Sequence, residues 1–146
     1  MNTLRGTGTI NLGGAVRPFH VGTNQTRIYC ELHDLSLEQY NEQMGVDALQ
    51  KGLKLGAAID FLYSALASGA QNNGLPIDFD PTTVGQWMDE AEESPEQLQE
   101  IGKPVAMYIE LIKERANRYL AQRGNAPAPM RVSKPAPAPK PKKAKK

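Results

Sequence analysis

The amino-acid sequence predicts a mostly α fold of the α+β kind. It is a small helical bundle with a short N-terminal β-hairpin and a disordered C-terminal tail. Three observations carry this reading. Alternating residues flank a Gly-Gly pair near the N-terminus. Helix-capping signals then open four later stretches. The final segment, 125–146, holds six of the eleven prolines. The chain therefore divides into a globular domain, 1–124, and a Pro/Ala/Lys-rich basic tail, 125–146.

The hairpin reads as Thr9-Ile10-Asn11-Leu12, a Gly13-Gly14 turn, then Ala15 to Val21. Two glycines supply the positive φ that a two-residue turn needs. Pro18 lacks an N–H, so its strand belongs at an edge or is short. Two strands are marginal alone and must lie on helices. Thr23 or Asn24 is placed to cap a short helix through Leu32, burying Ile28 and Tyr29. Ser36 and Gln39 form a capping box, with Leu35 and Tyr40 at the hydrophobic-staple positions. That helix ends near Gly45.

A longer helix is expected from about Asp47 to Ser68. Leu55, Ile59, Leu62 and Leu66 recur on one face, and Ala58, Phe61 and Ala65 widen the stripe. Gly69 and Asn72-Asn73-Gly74 end it. Gly52 and Gly56, one turn apart, imply close approach of a neighbouring helix, since glycine costs about 1 kcal/mol in a helix interior. Asp80-Pro81 reads as N-cap plus N1 proline, opening a helix with Val84, Trp87 and Met88 on one side. Ser94-Pro95-Glu96-Gln97 repeats the capping-box pattern. The last helix presents Leu98, Ile101, Val105, Tyr108, Ile112, Ala116 and Tyr119, with a kink or break expected near Lys103 from Gly102 and Pro104. Arg123-Gly124 closes it.

The net charge of +1 hides a split. Residues 1–124 carry 10 Lys/Arg against 16 Asp/Glu, a net of −6, and 125–146 carry 7 against none. The tail's alternating prolines favour extended polyproline II, and Met130 and Val132 are its large apolar groups, too few to offset ordering entropy. One cysteine, Cys30, excludes an intrachain disulfide and a Cys-based zinc site. Two histidines, His20 and His33, argue against a His-rich metal site. No apolar run approaches the roughly 18 residues of a membrane span. The first residues lack a secretory signal, so a reducing cytoplasm is the expected compartment.

Little chemistry emerges. Cys30 and His33 are three apart and could face each other on a helix, but no third group completes a nucleophilic site. Asp78, Asp80, Asp89, Glu90, Glu92 and Glu93 lack the order of a calcium loop. Asp80 suits an N-cap, and the glutamates suit a solvated helix end or a docking surface for a basic partner. Gly13-Gly14 is too short for a phosphate loop. The basic tail would attract phosphate backbones, yet it has no aromatic residue for base stacking. Trp87, Met88 and Tyr108 fit either a core or a groove for a partner helix. No enzyme, cofactor or metal is expected.

The order of parts carries a resemblance. The hairpin precedes Phe19-His20-Val21-Gly22-Thr23-Asn24-Gln25, and the phrase from Tyr29 to Tyr40 follows. Next come Asp60-Phe61-Leu62-Tyr63-Ser64-Ala65-Leu66 and Phe79-Asp80-Pro81-Thr82-Thr83-Val84-Gly85-Gln86-Trp87-Met88. Over roughly residues 15–120 this layout resembles the small tail assembly chaperones of tailed bacteriophages and prophages.

The resemblance implies a non-enzymatic role. Such proteins bind the long helical tape measure protein and keep it soluble until tail tube protein polymerises around it. They act in the host cytoplasm and leave the finished virion. Some are also made in a longer form by ribosomal frameshifting. The Pro/Ala/Lys tail lies outside the resemblance. A contact patch of Trp87, Met88 and Tyr108, rimmed by Asp89 and Glu90, is the expected client face, with self-association a further expectation. Two alternatives stand beside it. One is an accessory nucleic-acid binder acting through the basic tail, and the other is a minor structural tail component.

Overall fold

A computed structural model describes residues 5–125, apart from the side chains of residues 46 and 123–125. The tail expected to be disordered lies outside these residues from 126 onward. The architecture is the mostly helical one that the capping signals predict. Strands β1 (Thr7–Leu12) and β2 (Ala15–His20) are followed by six helices among the described residues: α1 (Thr23–His33), α2 (Leu37–Met44), α3 (Val46–Lys51), α4 (Leu55–Asn72), α5 (Pro81–Ala91) and α6 (Pro95–Asn125). The chain divides into two compact units, Met1–Ile112 and Lys113–Lys146, a division that falls inside α6.

The hairpin forms where its alternation places it. β1 and β2 pair antiparallel, Leu12 with Ala15 through Thr7 with His20. Gly13 and Gly14 have φ of 64° and 77°, the primed-turn conformation. Pro18 sits opposite Thr9 within a six-residue strand. Counting outward from a two-residue turn, hydrogen-bonded and non-bonded pairs alternate, so Thr9 and Pro18 form a non-bonded pair. The missing N–H therefore leaves no gap in the ladder. By the same count the Asn11 N–H points outward, and it donates to Glu100 Oε1 at 2.8 Å.

The core of the first unit gathers Ile10, Leu12, Phe19 and Val21 from the hairpin side against Phe61, Leu62, Ala65 and Leu66 of α4. Tyr29, Tyr40, Met44, Val84, Met107, Tyr108 and Leu111 close it. Central α4 is as buried as its apolar stripe implies, from Phe61 to Ala70, with only Tyr63 partly exposed. The close approach of backbones comes at Gly69, not at Gly52 or Gly56. A Cβ on Gly69 would lie 2.3 Å from the Pro18 carbonyl oxygen and 2.5 Å from the Phe19 Cα. Glycine there lets α4 and β2 touch. Gly56 has open space around its missing Cβ.

Several local expectations need correction. The helix expected over 47–68 is two helices, α3 and α4, because Gly52 takes φ 92° and ends the first. Gly69 lies inside α4, which continues to Asn72. Leu55 is 71% exposed, since a helix that starts there projects its first residue into solvent. Neither Thr23 nor Asn24 caps α1: Gly22 is the N-cap, and no side chain caps it. The face of α6 turned to the core is Pro104, Met107, Tyr108 and Leu111, while Leu98 and Tyr119 are exposed. No break occurs at Lys103, and the helix runs through Pro104, whose ring is fully buried. Burial of the ring offsets the lost helical hydrogen bond. Gly124 does not close α6, which extends to Asn125.

Other capping signals hold. Ser36 and Gln39 form the reciprocal box at 3.1 and 2.8 Å. The Asp80 carboxylate accepts from the Thr83 N–H at 2.8 Å, and that bond holds its pKa below the usual carboxylate value. At the head of α6, Pro95 takes the first helical position as expected, but the Ser94 hydroxyl donates to Glu96 Oε1 at 3.3 Å rather than forming the expected box with Gln97.

Candidate functional site

Helix α1 has apolar residues on more than one face. Tyr29 and Ile28 are buried, but Leu32 remains 44% exposed one turn beyond Ile28. Helix α4 places Tyr63, Ala67 and Gln71 at successive turns on the side facing this strip. The segment after α4 adds Ile77, 37% exposed. Together Arg27, Ile28, Glu31, Leu32, Tyr63, Ala67, Gln71 and Ile77 line an open groove of about 310 Å³. Its lining is mixed: Ile28, Leu32, Tyr63, Ala67 and Ile77 share it with the Arg27–Glu31 ion pair at 2.9 Å and the Gln71 amide.

A polar chain fastens one wall of the groove. Arg27 donates to Asn24 Oδ1 at 2.8 and 3.1 Å. Asn24 Nδ2 donates to Gln71 Oε1 at 2.7 Å and to Ser68 Oγ at 3.1 Å. Ser68 Oγ lies 2.7 Å from His20 Nδ1. The hydroxyl has two lone pairs and one proton, so it can hold Asn24 and His20 Nδ1 together with either ring tautomer. Burial lowers the His20 pKa below 6.5, which favours the neutral ring. The Ser68–His20 pair has the composition of a nucleophile and its base, but Ser68 is fully buried. No substrate reaches its hydroxyl, so the pair ties β2 to α1 and α4.

A row of rings leads away from the groove. Tyr63 meets Phe79 edge-on with centroids 5.8 Å apart, and Phe79 meets Trp87 at 5.6 Å. The Arg17 guanidinium lies 4.0 Å from the Trp87 ring centre and its Nε donates to the Leu12 carbonyl at 2.7 Å. A Cβ on Gly13 would fall 2.3 Å from the indole. Trp87 therefore packs under the hairpin turn.

Of the expected patch, Tyr108 belongs to the core cluster, against which Trp87 and Met88 pack. Trp87 and Met88 are half-buried there. Tyr108 is in the core, with its ring 5.1 Å from Phe61 and its hydroxyl donating to the Met44 carbonyl at 2.8 Å. Asp89 and Glu90 are exposed on α5. Reasoning from sequence misses the groove residues Ile28, Leu32, Tyr63, Ala67 and Ile77. The available signal is an α1 apolar set too wide for one face, together with a tyrosine outside the main α4 stripe.

The Cys30 and His33 spacing does not make a reactive pair. His33 Nε2 lies 2.8 Å from Asp60 Oδ2, and its ring stacks on Tyr29 at 4.5 Å. Burial raises the Cys30 pKa, which keeps the sulfur as a thiol. A second, polar recess lies between the hairpin and the start of α6, lined by Asn11, Gly14, Ser94, Glu96, Gln97 and Glu100 among others. There Glu100 binds Lys103 and the Asn11 N–H, and both lower its pKa. Among the described residues no group of three or more His, Cys, Asp or Glu is placed to hold a metal ion. No described helix is long and apolar enough to cross a membrane.

No family model matches the chain, and no match is found among curated proteins or solved structures.

Proposed function

We propose that this protein is a non-enzymatic assembly chaperone of the phage tail type. It holds a long amphipathic helical client, a tape measure protein, in solution in the host cytoplasm until tail tube protein takes its place. The observation that carries this reading is the open groove between α1 and α4, where Ile28, Leu32, Tyr63, Ala67 and Ile77 lie beside charged and amide groups. A helix hundreds of residues long has no core of its own, so its apolar stripe must be covered by many small partners. The layout of hairpin, short capped helix and central apolar helix supports the same reading by its resemblance to such chaperones.

The test is co-expression with a long helical protein encoded beside this chain. The expected result is that the client stays soluble with the native chain. It precipitates with a Leu32→Glu, Ile77→Glu double variant that still folds, as both side chains are more than a third exposed. A client equally insoluble with and without the native chain would overturn the proposal.

A further inference from the structure

The division between the two compact units is also a charge border. Residues 1–112 hold 6 Lys/Arg against 15 Asp/Glu, a net of −9. Residues 113–146 hold 11 against 1, a net of +10. The border is sharper here than at 124/125, because Lys113, Arg115, Arg118 and Arg123 belong with the basic side.

The described part of the second unit is the helical stretch 113–125 of α6. Lys113, Arg115 and Arg118 are exposed on it, and Tyr119 and Leu120 are 58% and 63% exposed. By helical spacing Arg115, Arg118 and Tyr119 share a face. A nucleic acid would be met by the cations and by stacking on Tyr119, but it offers nothing to the aliphatic Leu120. Large apolar side chains among the cations match instead a protein surface with carboxylates around an apolar centre.

We propose that 113–125 is a docking arm, and that its partner is the acidic first unit of a second copy of this chain. The arm carries 4 Lys/Arg against Glu114, a net of +3, and precedes the seven further cations of 126–146; this charge steers one copy's arm to the −9 body of the next copy, and the apolar groups then hold it. The contact is heterologous, arm to body, so it links copies in a row or closes into a ring or an exchanged pair. It does not depend on the chaperone reading.

The experiment uses the full chain, treated with nuclease, in sedimentation velocity over a wide concentration range at low and high salt. The mass should rise with concentration at low salt and return toward the monomer at high salt. An Arg115→Glu, Arg118→Glu variant should bind at least about tenfold more weakly, because two attractive charges become repulsive. A Leu120→Asp variant should also associate more weakly, and circular dichroism checks that both variants fold. A monomer at every concentration overturns the proposal. So does association that either variant leaves unchanged, or association that disappears once nucleic acid is digested. Client solubility is a separate measurement, so the two proposals fail independently.

Discussion

On one side of α4, Gly69 and Ser68 meet the hairpin and α1 without room for another methyl group. On another, Tyr63, Ala67 and Gln71 line an open groove. Both surfaces belong to one helix. The first is closed by backbone contact and by a buried hydroxyl shared between Asn24 and His20. The second stops at half-exposed Leu32 and Ile77. The closed side sets the fold, and the open side is free to serve a partner. Substitutions should follow that asymmetry.

Gly69→Ala should have the largest effect. Its methyl would press into the Pro18 carbonyl and the Phe19 Cα, which are backbone and cannot swing aside. A loss of about 3 kcal/mol in urea unfolding is expected, and a change under about 0.5 kcal/mol would break the comparison. Ser68→Ala comes next. It strands His20 Nδ1 and one Asn24 N–H bond, so a loss of about 1–2 kcal/mol is expected, measured the same way.

A smaller effect is expected from pH. The His20 pKa is lowered in the folded state, so the unfolded chain binds more protons near and below 6.5. The stability from this group is present above 6.5 and is lost as pH falls toward the folded value. Urea midpoints should therefore drop between about pH 7.5 and 5.5. The drop should be shallower in His20→Gln, and equal slopes would contradict it. Gly56→Ala should be the smallest effect and of opposite sign. Nothing lies near its missing Cβ, so stability should rise by about 0.5 kcal/mol. Together with Gly69→Ala it shows whether contact, rather than helix propensity, decides the cost of a side chain on α4.

The helix starts at Ser36 and Asp80 are legible in the sequence because a cap is a local device. The hydroxyl or carboxylate and the N–H it binds lie three residues apart. The hairpin is legible for the same reason, since Gly13-Gly14 and the alternation around it act within a few residues. Gly52 and Gly69 mislead because a glycine in a helical pattern has several meanings. One ends α3 with a positive φ, and the other admits a strand about 50 residues away in sequence. Tyr108 reads as ambiguous because its decisive partner, the Met44 carbonyl, is 64 residues distant.

The sequence by itself determined the helical class, the hairpin and its turn, and the sign of charge along the chain, all of which follow from neighbours in sequence. Tertiary structure decided which apolar residues remained uncovered. Leu32 and Ile77 are no less apolar than Leu62 and Leu66. They differ in that, among the described residues, no strand or helix covers them.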